Sequence, residues 1–450
     1  MEGSRTAYRR LGTDMDDDDA GSVVTEGPPF SWLEYAIFGF LGVAMLWAWN
    51  MFLAAAPYFS SRFAADAWIE ANFQSAILAS STLVNLGTLV VLTKLQREAS
   101  YTFRINLALV INTLVFALLT CSTALFLDAS PSSYLAFLLL VVAAASWATG
   151  LSQNGCFAFA ASFGRPEYTQ AIMAGQSVAG VLPAVAQVIT VLLFPPKQHR
   201  ATVGDGHGRE DVPAKGQTSA FVYFLTAVAI SVAALLALAT LVRRHRALLE
   251  NSRLLPDGME ASVNSIQDAE RASRKVATLW HLFVKLRWLA LGVALTFAAT
   301  MFFPVFTTKT LSVHPDAAPL FRPAAFIPLA FLCWNLGDLV GRVLAVLPLS
   351  LRHRPFYLFV LSVIRIGQLP LYLLCNIGGR GASVPSDFFY LVIVQLLFGL
   401  TNGWLGSSFM MAAGEWVEPG EREAAGAFMG LCLVVGLALG SFLSFTIADI

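Results

Sequence analysis

Charged residues are scarce in this sequence. Asp, Glu, Lys and Arg make up only 13% of the 450 residues, whereas soluble domains carry about 25%. Hydrophobic residues make up 56%, and the mean hydropathy is +0.65. This composition excludes an ordinary soluble domain and predicts a multi-pass membrane protein. The 29 basic and 29 acidic residues cancel, so the net charge gives no indication of a nucleic-acid partner.

The patterns that hold metals or perform catalysis are missing as well. The five cysteines lie in apolar segments without CxxC spacing, and the six histidines lie in predicted loops or flanks. We therefore expect no disulfide framework, no metal and no cofactor. The sequence contains no HExxH, GxSxG or ATP-binding motif, which argues against an intramembrane enzyme.

Long apolar runs fill most of the chain. A window of about 20 residues, the length of a helix that crosses a bilayer, finds eleven candidate spans. Backbone groups in lipid must be paired within their own segment, so all eleven are predicted to be helices. They cover approximately residues 33–55, 73–93, 105–127, 134–161, 169–194, 219–242, 288–306, 324–347, 356–376, 387–412 and 424–447.

The distribution of Lys and Arg predicts the orientation. The side of the N-terminus carries 19 of these residues and the opposite side carries 8, with Arg342 and Arg365 inside spans. Because cytoplasmic loops are enriched in Lys and Arg, we predict a cytoplasmic N-terminus. An odd number of spans then places the C-terminus on the extracellular or lumenal side. Residues 1–32, with four consecutive aspartates, are predicted to form a disordered cytoplasmic tail.

A long hydrophilic insertion divides the spans into six and five. Residues 33–242 are predicted to form a six-helix bundle and residues 288–450 a five-helix bundle. The central loop of residues 243–287 ends in a basic and apolar stretch, 276–288, which is predicted to lie along the membrane interface. Two bundles that rock about a central site are typical of the major facilitator architecture, so the sequence predicts an all-α, two-bundle membrane protein of that kind.

Two residues of opposite charge interrupt one apolar span. The segment from Phe326 to Pro348 contains Asp338 and Arg342, which are four residues apart and therefore on one helix face. Either charge alone at mid-membrane costs about 2.5 to 3.5 kcal/mol on insertion scales. In an ion pair that only fixes packing, the attraction between the charges rarely offsets the free-energy cost of removing them from water. We therefore predict that these two side chains line a polar pathway.

Other polar side chains at depth are candidates for the same pathway. The first span contains Trp49 and Asn50, and an indole beside a carboxamide suits a flat ligand with hydrogen-bonding edges. The fourth span contributes the amides of Gln153 and Asn154. Packing between helices is the alternative for each of them. Three further candidates are Asn335 on the face of the charged pair, Pro304 as a break in span seven, and Arg365 in span nine.

Motifs along nearly the whole chain resemble the equilibrative nucleoside transporters, with a fungal-type member as the expectation. The combination N-x-x-D-x-x-x-R with a glycine-rich last span is specific to that family. Gly337 and Leu339 stand where bulkier residues are common in the family, so the shape of the pocket is expected to differ. In chain order the motifs are WNMF followed by PYF, MAGQSVAG, FPVFT, WNLGDLVGR, LLCNIG, LTNGWLGSS and EREAAGAFMGLCLVVGLALGSFLSF.

The resemblance implies roles for several residues at the base of a nucleoside. The family's tryptophan and leucine that match Trp49 and Leu46 border the base. A glutamine in the fourth span faces the base edge, and either Gln153 or Asn154 takes that place here, with the spacing to Tyr168 favouring Asn154.

The resemblance also implies how the sugar is bound. The residues that match Asp338 and Arg342 contact ribose hydroxyls, and Asn335 is expected to support the pair. The chemistry agrees, because vicinal hydroxyls both donate and accept hydrogen bonds, as a carboxylate and a guanidinium together require.

The function implied is transport of nucleosides such as adenosine and uridine, with nucleobases also considered, by alternating access in a monomer. Facilitated diffusion is favoured because Arg342 beside Asp338 favours the charged carboxylate. A proton-coupled nucleoside symporter remains an alternative, with Glu34 and Asp338 as proton sites. A major-facilitator transporter of another polar solute is a further alternative, although its usual loop signature is absent after span two.

The membrane in which the protein resides stays open at this stage. The stretch ENSRLL, from Glu250 to Leu255, is an acidic dileucine pattern in the predicted cytoplasmic loop and resembles lysosomal or vacuolar sorting signals. Such patterns also arise by chance, so both a vacuolar or lysosomal membrane and the plasma membrane are retained.

Overall fold

A computed structural model describes residues 30–95, 100–125, 127, 129–193, 211–253, 278–347 and 351–445. The predicted N-terminal tail, apart from residues 30–32, lies outside these ranges. The same holds for most of the predicted central loop, including Leu254 and Leu255 of the dileucine pattern.

The described chain consists of helices, which we number in order. The first half contains α1 (Trp32–Ala54), α2 (Ala56–Phe63), α3 (Ala67–Lys94), α4 (Tyr101–Ala124), α5 (Pro131–Ser162), α6 (Pro166–Leu193) and α7 (Asp211–Arg253). The second half contains α8 (Leu279–Thr300), α9 (Phe302–Lys309), α10 (Pro323–Leu344), α11 (Pro355–Ile366), α12 (Leu397–Ala412) and α13 (Arg422–Phe445). A 3₁₀ segment, Leu369–Leu374, follows α11, and a π-helical segment, Phe389–Leu396, leads into α12.

Eleven of the described helical stretches are long and apolar enough to cross a membrane, six before the central loop and five after it. This number confirms the prediction from the sequence. Four of the eleven combine a helix with the segments that adjoin it: α8 with α9, α11 with its 3₁₀ extension, α12 with the π-helical segment before it and a 3₁₀ turn after it, and α13 with the 3₁₀ turn before it.

The end of the central loop differs from the expectation of a separate interfacial helix. The structure includes Leu279 to Trp288 in α8, continuous with the seventh span. On one face of this stretch Leu282 and Leu286 are buried in the core. On another face, Lys285 donates a hydrogen bond to Glu421 at 2.6 Å. Because one face is buried and the helix continues into the seventh span, this stretch packs as part of the bundle.

Several helices begin at a side chain that caps their first turn. The Asp66 carboxylate accepts hydrogen bonds from the backbone N–H groups of Trp68 and Ile69, both at 3.1 Å, at the start of α3. The hydroxyl of Thr278 accepts from the N–H of His281 at the start of α8. Such caps satisfy N–H groups that have no partner within the helix.

The seventh span is broken between α8 and α9. Pro304 stands in the first turn of α9, where its missing N–H costs little, but its ring would clash with the carbonyl of Thr300 in a continuous helix. The chain therefore breaks at Met301, three residues before the proline. The predicted break in span seven is present, and it brings Met301 to the wall of a cavity.

Glycines let α10 and α12 approach closely beside the charged pair. A Cβ atom at Gly399 would overlap the carbonyl oxygen of Trp334, and one at Gly403 would overlap that of Asp338. Gly337 likewise lies against the carbonyl of Leu396, which gives a packing reason for the small residue at that position. The two halves meet mainly where α6 packs on α10 and α5 packs on α13.

We predict that Gly403→Val destabilises the protein by separating these two backbones. Overpacking of a tight contact costs about 1–3 kcal/mol, so thermal unfolding of the purified protein shifts to lower temperature. Gly87→Ala is the matched control, because nothing lies within 4 Å of a Cβ at Gly87. Equal unfolding temperatures for Gly403→Val and the wild type would contradict the close contact.

Candidate functional site

The charged pair of span eight is buried between the two halves. The Nε of Arg342 donates to Oδ2 of Asp338 at 2.9 Å, and the two residues are 5% and 2% exposed. A buried ion pair must also satisfy its remaining donors and acceptors, because neither charge can reach water. The structure supplies these partners from two other helices.

The carboxylate of Asp338 accepts two more hydrogen bonds. The amide Nδ2 of Asn402, on α12, donates to Oδ1 at 2.7 Å. The hydroxyl of Ser177, on α6 in the other half, donates to Oδ2. With Arg342, three donors from three helices converge on one carboxylate. All of these bonds are donated to Asp338, as an ionised carboxylate requires.

Arg342 binds α6 as well. Its Nη1 donates to the carbonyl oxygen of Met173 at 2.7 Å and to Oε1 of Gln176 at 3.3 Å. In return, Nε2 of Gln170 donates to the carbonyl oxygen of Arg342 at 2.9 Å. The pair therefore joins the six-helix half to the five-helix half.

Arg365, the second arginine within a span, is linked to the same carboxylate. Its guanidinium donates to the carbonyl of Thr296 at 2.9 Å and to the hydroxyl of Thr300 at 3.3 Å, and lies 3.9 Å from the ring centroid of Phe398. The Thr300 hydroxyl donates to Oδ1 of Asn402 at 2.6 Å. The side chains of Thr300 and Asn402 thus link Arg365 to Asp338 through hydrogen bonds. One carboxylate is therefore connected to two buried cations.

A cavity of about 170 Å³ lies between the halves, on the side of the membrane away from the N-terminus. It brings together three of the predicted residues: Leu46, Trp49 and Gln153. The opposite wall comes from Met301 at the helix break and from α13. Its further polar lining residues are Ser81, Thr82, Asn85, Ser146, Thr149 and Ser441.

Two amides in this cavity have an oxygen without a hydrogen bond. Oε1 of Gln153 and Oδ1 of Asn85 are buried and have no partner among the described residues. A buried unsatisfied carbonyl costs about 1–3 kcal/mol. Both oxygens belong to residues of the cavity wall, so a ligand that donates hydrogen bonds there would recover this cost.

The structure separates the two amides that the sequence leaves as alternatives. Gln153 lines the cavity, whereas the Oδ1 of Asn154 accepts a hydrogen bond from Arg104 and the residue is fully buried. The spacing to Tyr168 favours Asn154, but successive residues of a helix point in different directions. The Asn154 side chain faces α4, and Gln153 is the one that lines the cavity.

Several other predicted residues lie away from the cavity. Nδ2 of Asn50 donates to the carbonyl of Ala179 at 2.6 Å, and Nδ2 of Asn335 donates to the carbonyl of Phe331 in its own helix at 2.8 Å. The support expected from Asn335 comes from Asn402 instead. Asp338 and Arg342 also lie outside the lining of this cavity, held by α6.

Asn402 and Ser177 are the residues that sequence reasoning misses. Both lie in quoted motifs, LTNGWLGSS and MAGQSVAG. The signal that points to them is a polar side chain beside a glycine in a span, since glycine brings the neighbouring backbone close enough for a short side chain to reach across. Nothing in the spacing shows that both side chains end on one carboxylate.

Two helical bundles that share a buried charged network and an adjoining cavity define a membrane transporter of the major facilitator architecture. Solved structures support this fold. The proton:xylose symporter XylE aligns with a TM-score of 0.63 at 12% identity, over 93% of this chain and 88% of that chain. The major facilitator transporter FucP, in its outward conformation, aligns with a TM-score of 0.55 at 15% identity, over 92% of each chain.

The chain belongs to the nucleoside transporter family. The family model described as "Nucleoside transporter" matches residues 138–448. The nucleoside transporter FUN26 of Saccharomyces cerevisiae is 31% identical over 442 residues, which cover 92% of this chain and 83% of that protein. Equilibrative nucleoside transporter 1 of Rattus norvegicus is 28% identical, over 91% of this chain and 96% of its own. Membership confirms the resemblance, and the protein is a transporter and not an enzyme.

We predict that removing the carboxylate alone destabilises the protein more than removing both charges of the pair. Asp338→Asn leaves the Arg342 guanidinium buried without its anion, a defect that typically costs about 3–5 kcal/mol. The double variant Asp338→Asn/Arg342→Gln removes both charges and unfolds at a higher temperature than the single variant. Thermal unfolding of the purified proteins measures the difference. Strictly additive effects of the two substitutions would contradict a coupled buried pair.

Proposed function

We propose that this protein carries nucleosides across the membrane by alternating access of its two halves. The observation that carries the proposal is the Asp338–Arg342 pair, buried at the junction of the halves in a member of the nucleoside transporter family. A cavity with an indole and an unpaired amide adjoins that junction. The relatives of this protein that are named equilibrative nucleoside transporters support the same substrate class.

The cavity provides the groups that a nucleobase needs. Trp49 offers an aromatic face for stacking, and Leu46 extends the apolar wall. The free Oε1 of Gln153 accepts a hydrogen bond from an amine or imide N–H at the edge of the base. Asn85, which the sequence reasoning does not single out, offers a second acceptor of the same kind.

The ribose binds to the charged pair by replacing hydrogen bonds that join the two halves in this structure. In this conformation the Ser177 hydroxyl donates to Asp338, and a ribose hydroxyl offers the same donor. A second ribose hydroxyl then accepts from Arg342, whose bond to Gln176 is a longer one of 3.3 Å. The sugar thus replaces contacts between the halves with contacts of its own, which frees the halves to move.

The direction of opening follows from where these contacts lie. Gln170, Met173 and Ser177 lie in the first three turns of α6, which begins on the side of the N-terminus. Their bonds to α10 close that side, while the cavity lies towards the other. We infer that breaking these bonds opens the N-terminal side.

We favour facilitated diffusion over proton symport. In this structure Arg342, Asn402 and Ser177 each donate a hydrogen bond to the Asp338 carboxylate. The names of the relatives as equilibrative transporters agree with this mode. Proton coupling remains the competing mode for the same substrate class.

The setting of the protein in the cell is part of the proposal. We propose that the N-terminus lies in the cytoplasm and the C-terminus outside the cell or in a lumen, because the side of the N-terminus carries the excess of Lys and Arg. Both a vacuolar or lysosomal membrane and the plasma membrane agree with this orientation. A single chain contains both halves and the cavity, so we propose a functional monomer.

Uptake into proteoliposomes tests the function. We expect purified protein to take up radiolabelled adenosine and uridine to the outside concentration and no further, with equal pH on both sides. Accumulation above that concentration only under an imposed pH gradient would overturn the facilitative mode. Absence of saturable uptake of either nucleoside, under both conditions, would overturn nucleoside transport itself.

Substitution of the two neighbouring amides distinguishes ligand contact from packing. Gln153→Ala removes one hydrogen bond to the base, worth about 0.5–1.5 kcal/mol, so the KM for uridine rises by up to roughly tenfold. Asn154→Ala removes the partner of Arg104 and lowers the unfolding temperature while the KM stays near that of the wild type. The reverse pattern would assign the base contact to Asn154.

Ser177→Ala tests the exchange of hydroxyls at Asp338. Without the competing serine, uridine binds more readily, and the KM falls by roughly three- to tenfold, the effect of about one hydrogen bond. For 2′,3′-dideoxyuridine, which lacks the vicinal 2′ and 3′ hydroxyls proposed to take the place of the serine, the KM changes little. Ser362→Ala is the matched control, since Ser362 is buried and bonds only to Phe359 of its own helix. Equal changes for both substrates would contradict the exchange.

A further inference from the structure

A second and larger cavity lies outside the transport site. It has a volume of about 650 Å³ and is bounded by residues 284–289 of α8 and the first turn of α11, on the side of the N-terminus. Both helices begin their spans there, which places the cavity at the depth of lipid headgroups. The residues that matter for its chemistry are Arg287, Trp288, Arg354, Phe356, Tyr357 and Trp416.

Two exposed guanidiniums face this groove. That of Arg287 lies 5.6 Å from the ring centroid of Trp288, and that of Arg354 lies 5.8 Å from the ring of Tyr357. Neither guanidinium forms an ion pair with a carboxylate in the described part of the chain. The described residues that line the groove include no Asp or Glu, so the groove is positively charged.

Neighbouring cations on the same side are paired. Arg352 lies 2.9 Å from the carboxylate of Glu415, and Lys285, a third cation of the groove, lies 2.6 Å from that of Glu421. In the same region, Arg287 and Arg354 are held over aromatic rings instead. Within the described ranges, two positive charges are thus left available for an anion from outside the protein.

The rest of the groove is apolar and open. Phe356 is 49% exposed, Tyr357 56% and Trp416 45%. Trp288 packs its ring against Phe356 at a centroid distance of 5.0 Å. Tryptophan and tyrosine are enriched at the boundary between headgroups and acyl chains. A small hydrophilic anion would leave these surfaces uncovered, whereas an amphipathic anion covers both parts of the groove.

We propose that this groove binds an anionic glycerophospholipid of the leaflet on the side of the N-terminus. Its phosphate lies between Arg287 and Arg354, and its acyl chains run along Val284 and Phe356. Basic pockets between spanning helices, on the cytoplasmic side, suit headgroups of this charge. With the proposed orientation, the lipid comes from the cytoplasmic leaflet, where anionic lipids are concentrated.

Photolabelling in lipid nanodiscs tests the site. Purified full-length protein is placed in phosphatidylcholine with a trace of photoactivatable phosphatidylserine or, separately, photoactivatable phosphatidylcholine. We expect phosphatidylserine to label peptides that contain Trp288 or Phe356, and phosphatidylcholine to label them much less. Equal labelling by the two probes would overturn a site for anionic lipid.

Substitutions of Arg287 and Arg354 test whether the labelling requires their positive charges. Arg287→Gln/Arg354→Gln lowers phosphatidylserine labelling of these peptides about tenfold or more, since each cation near an anionic lipid contributes to binding. The control Lys94→Gln/Arg243→Gln removes two exposed cations from the same side of the other half and leaves the labelling unchanged. Arg287→Lys/Arg354→Lys keeps the charge and most of the labelling, which separates loss of charge from loss of fold. Unchanged labelling of the double glutamine variant would overturn the proposal.

Competition separates a lipid from a free phosphate. Glycerophosphoserine carries the same headgroup without acyl chains, and we expect it to leave the labelling by phosphatidylserine intact. If it suppresses labelling at the concentration of the lipid, the groove is an anion site without an acyl-chain component, and the lipid assignment is overturned.

Discussion

The carboxylate of Asp338 is the point on which the contact between the two halves depends. It lies in the interior of a membrane protein and is satisfied by Arg342 on its own helix, Asn402 on α12 and Ser177 on α6. An ionised group in such surroundings requires several donors. Because one donor comes from the other half, a contact that stabilises the charge also joins the two halves. A ligand that offers its own hydroxyl can therefore replace a contact between the halves without leaving the charge unpaired.

The backbone geometry around this carboxylate makes the arrangement possible. Gly399 and Gly403 bring α12 against α10, so the short side chain of Asn402 reaches Asp338. Asn402 also accepts a hydrogen bond from Thr300 on α8, which in turn accepts one from Arg365 on α11. Hydrogen bonds within the five-helix half therefore connect both of its buried arginines to Asp338. In the proposed mechanism, the bonds to α6 form the part of the network that the substrate replaces.

Much of the fold follows from the sequence, and much less of the site does. The lengths of the apolar runs predict the number of spans. The acidic–basic pair at positions 338 and 342 marks the centre of the site, because charged side chains within the membrane are costly and therefore mark polar pathways. The sequence does not show which way neighbouring amides face, so Gln153 and Asn154 are separated only by the structure. It also gives no distances between helices, which is why Asn402 and Ser177 emerge only when α6, α10 and α12 are packed. Within the stretch predicted to be interfacial, Lys285 bonds to a partner far along the chain, Glu421, and the sequence does not show this contact.

The most direct test of this account is an experimental structure with uridine bound. The account predicts a ribose hydroxyl within hydrogen-bond distance of the Asp338 carboxylate, the Ser177 hydroxyl displaced from it, and the base against Trp49 with its edge at Gln153. Uridine bound elsewhere, with the bond between Ser177 and Asp338 intact, would contradict the central claim that substrate and interhelical contact compete for one carboxylate.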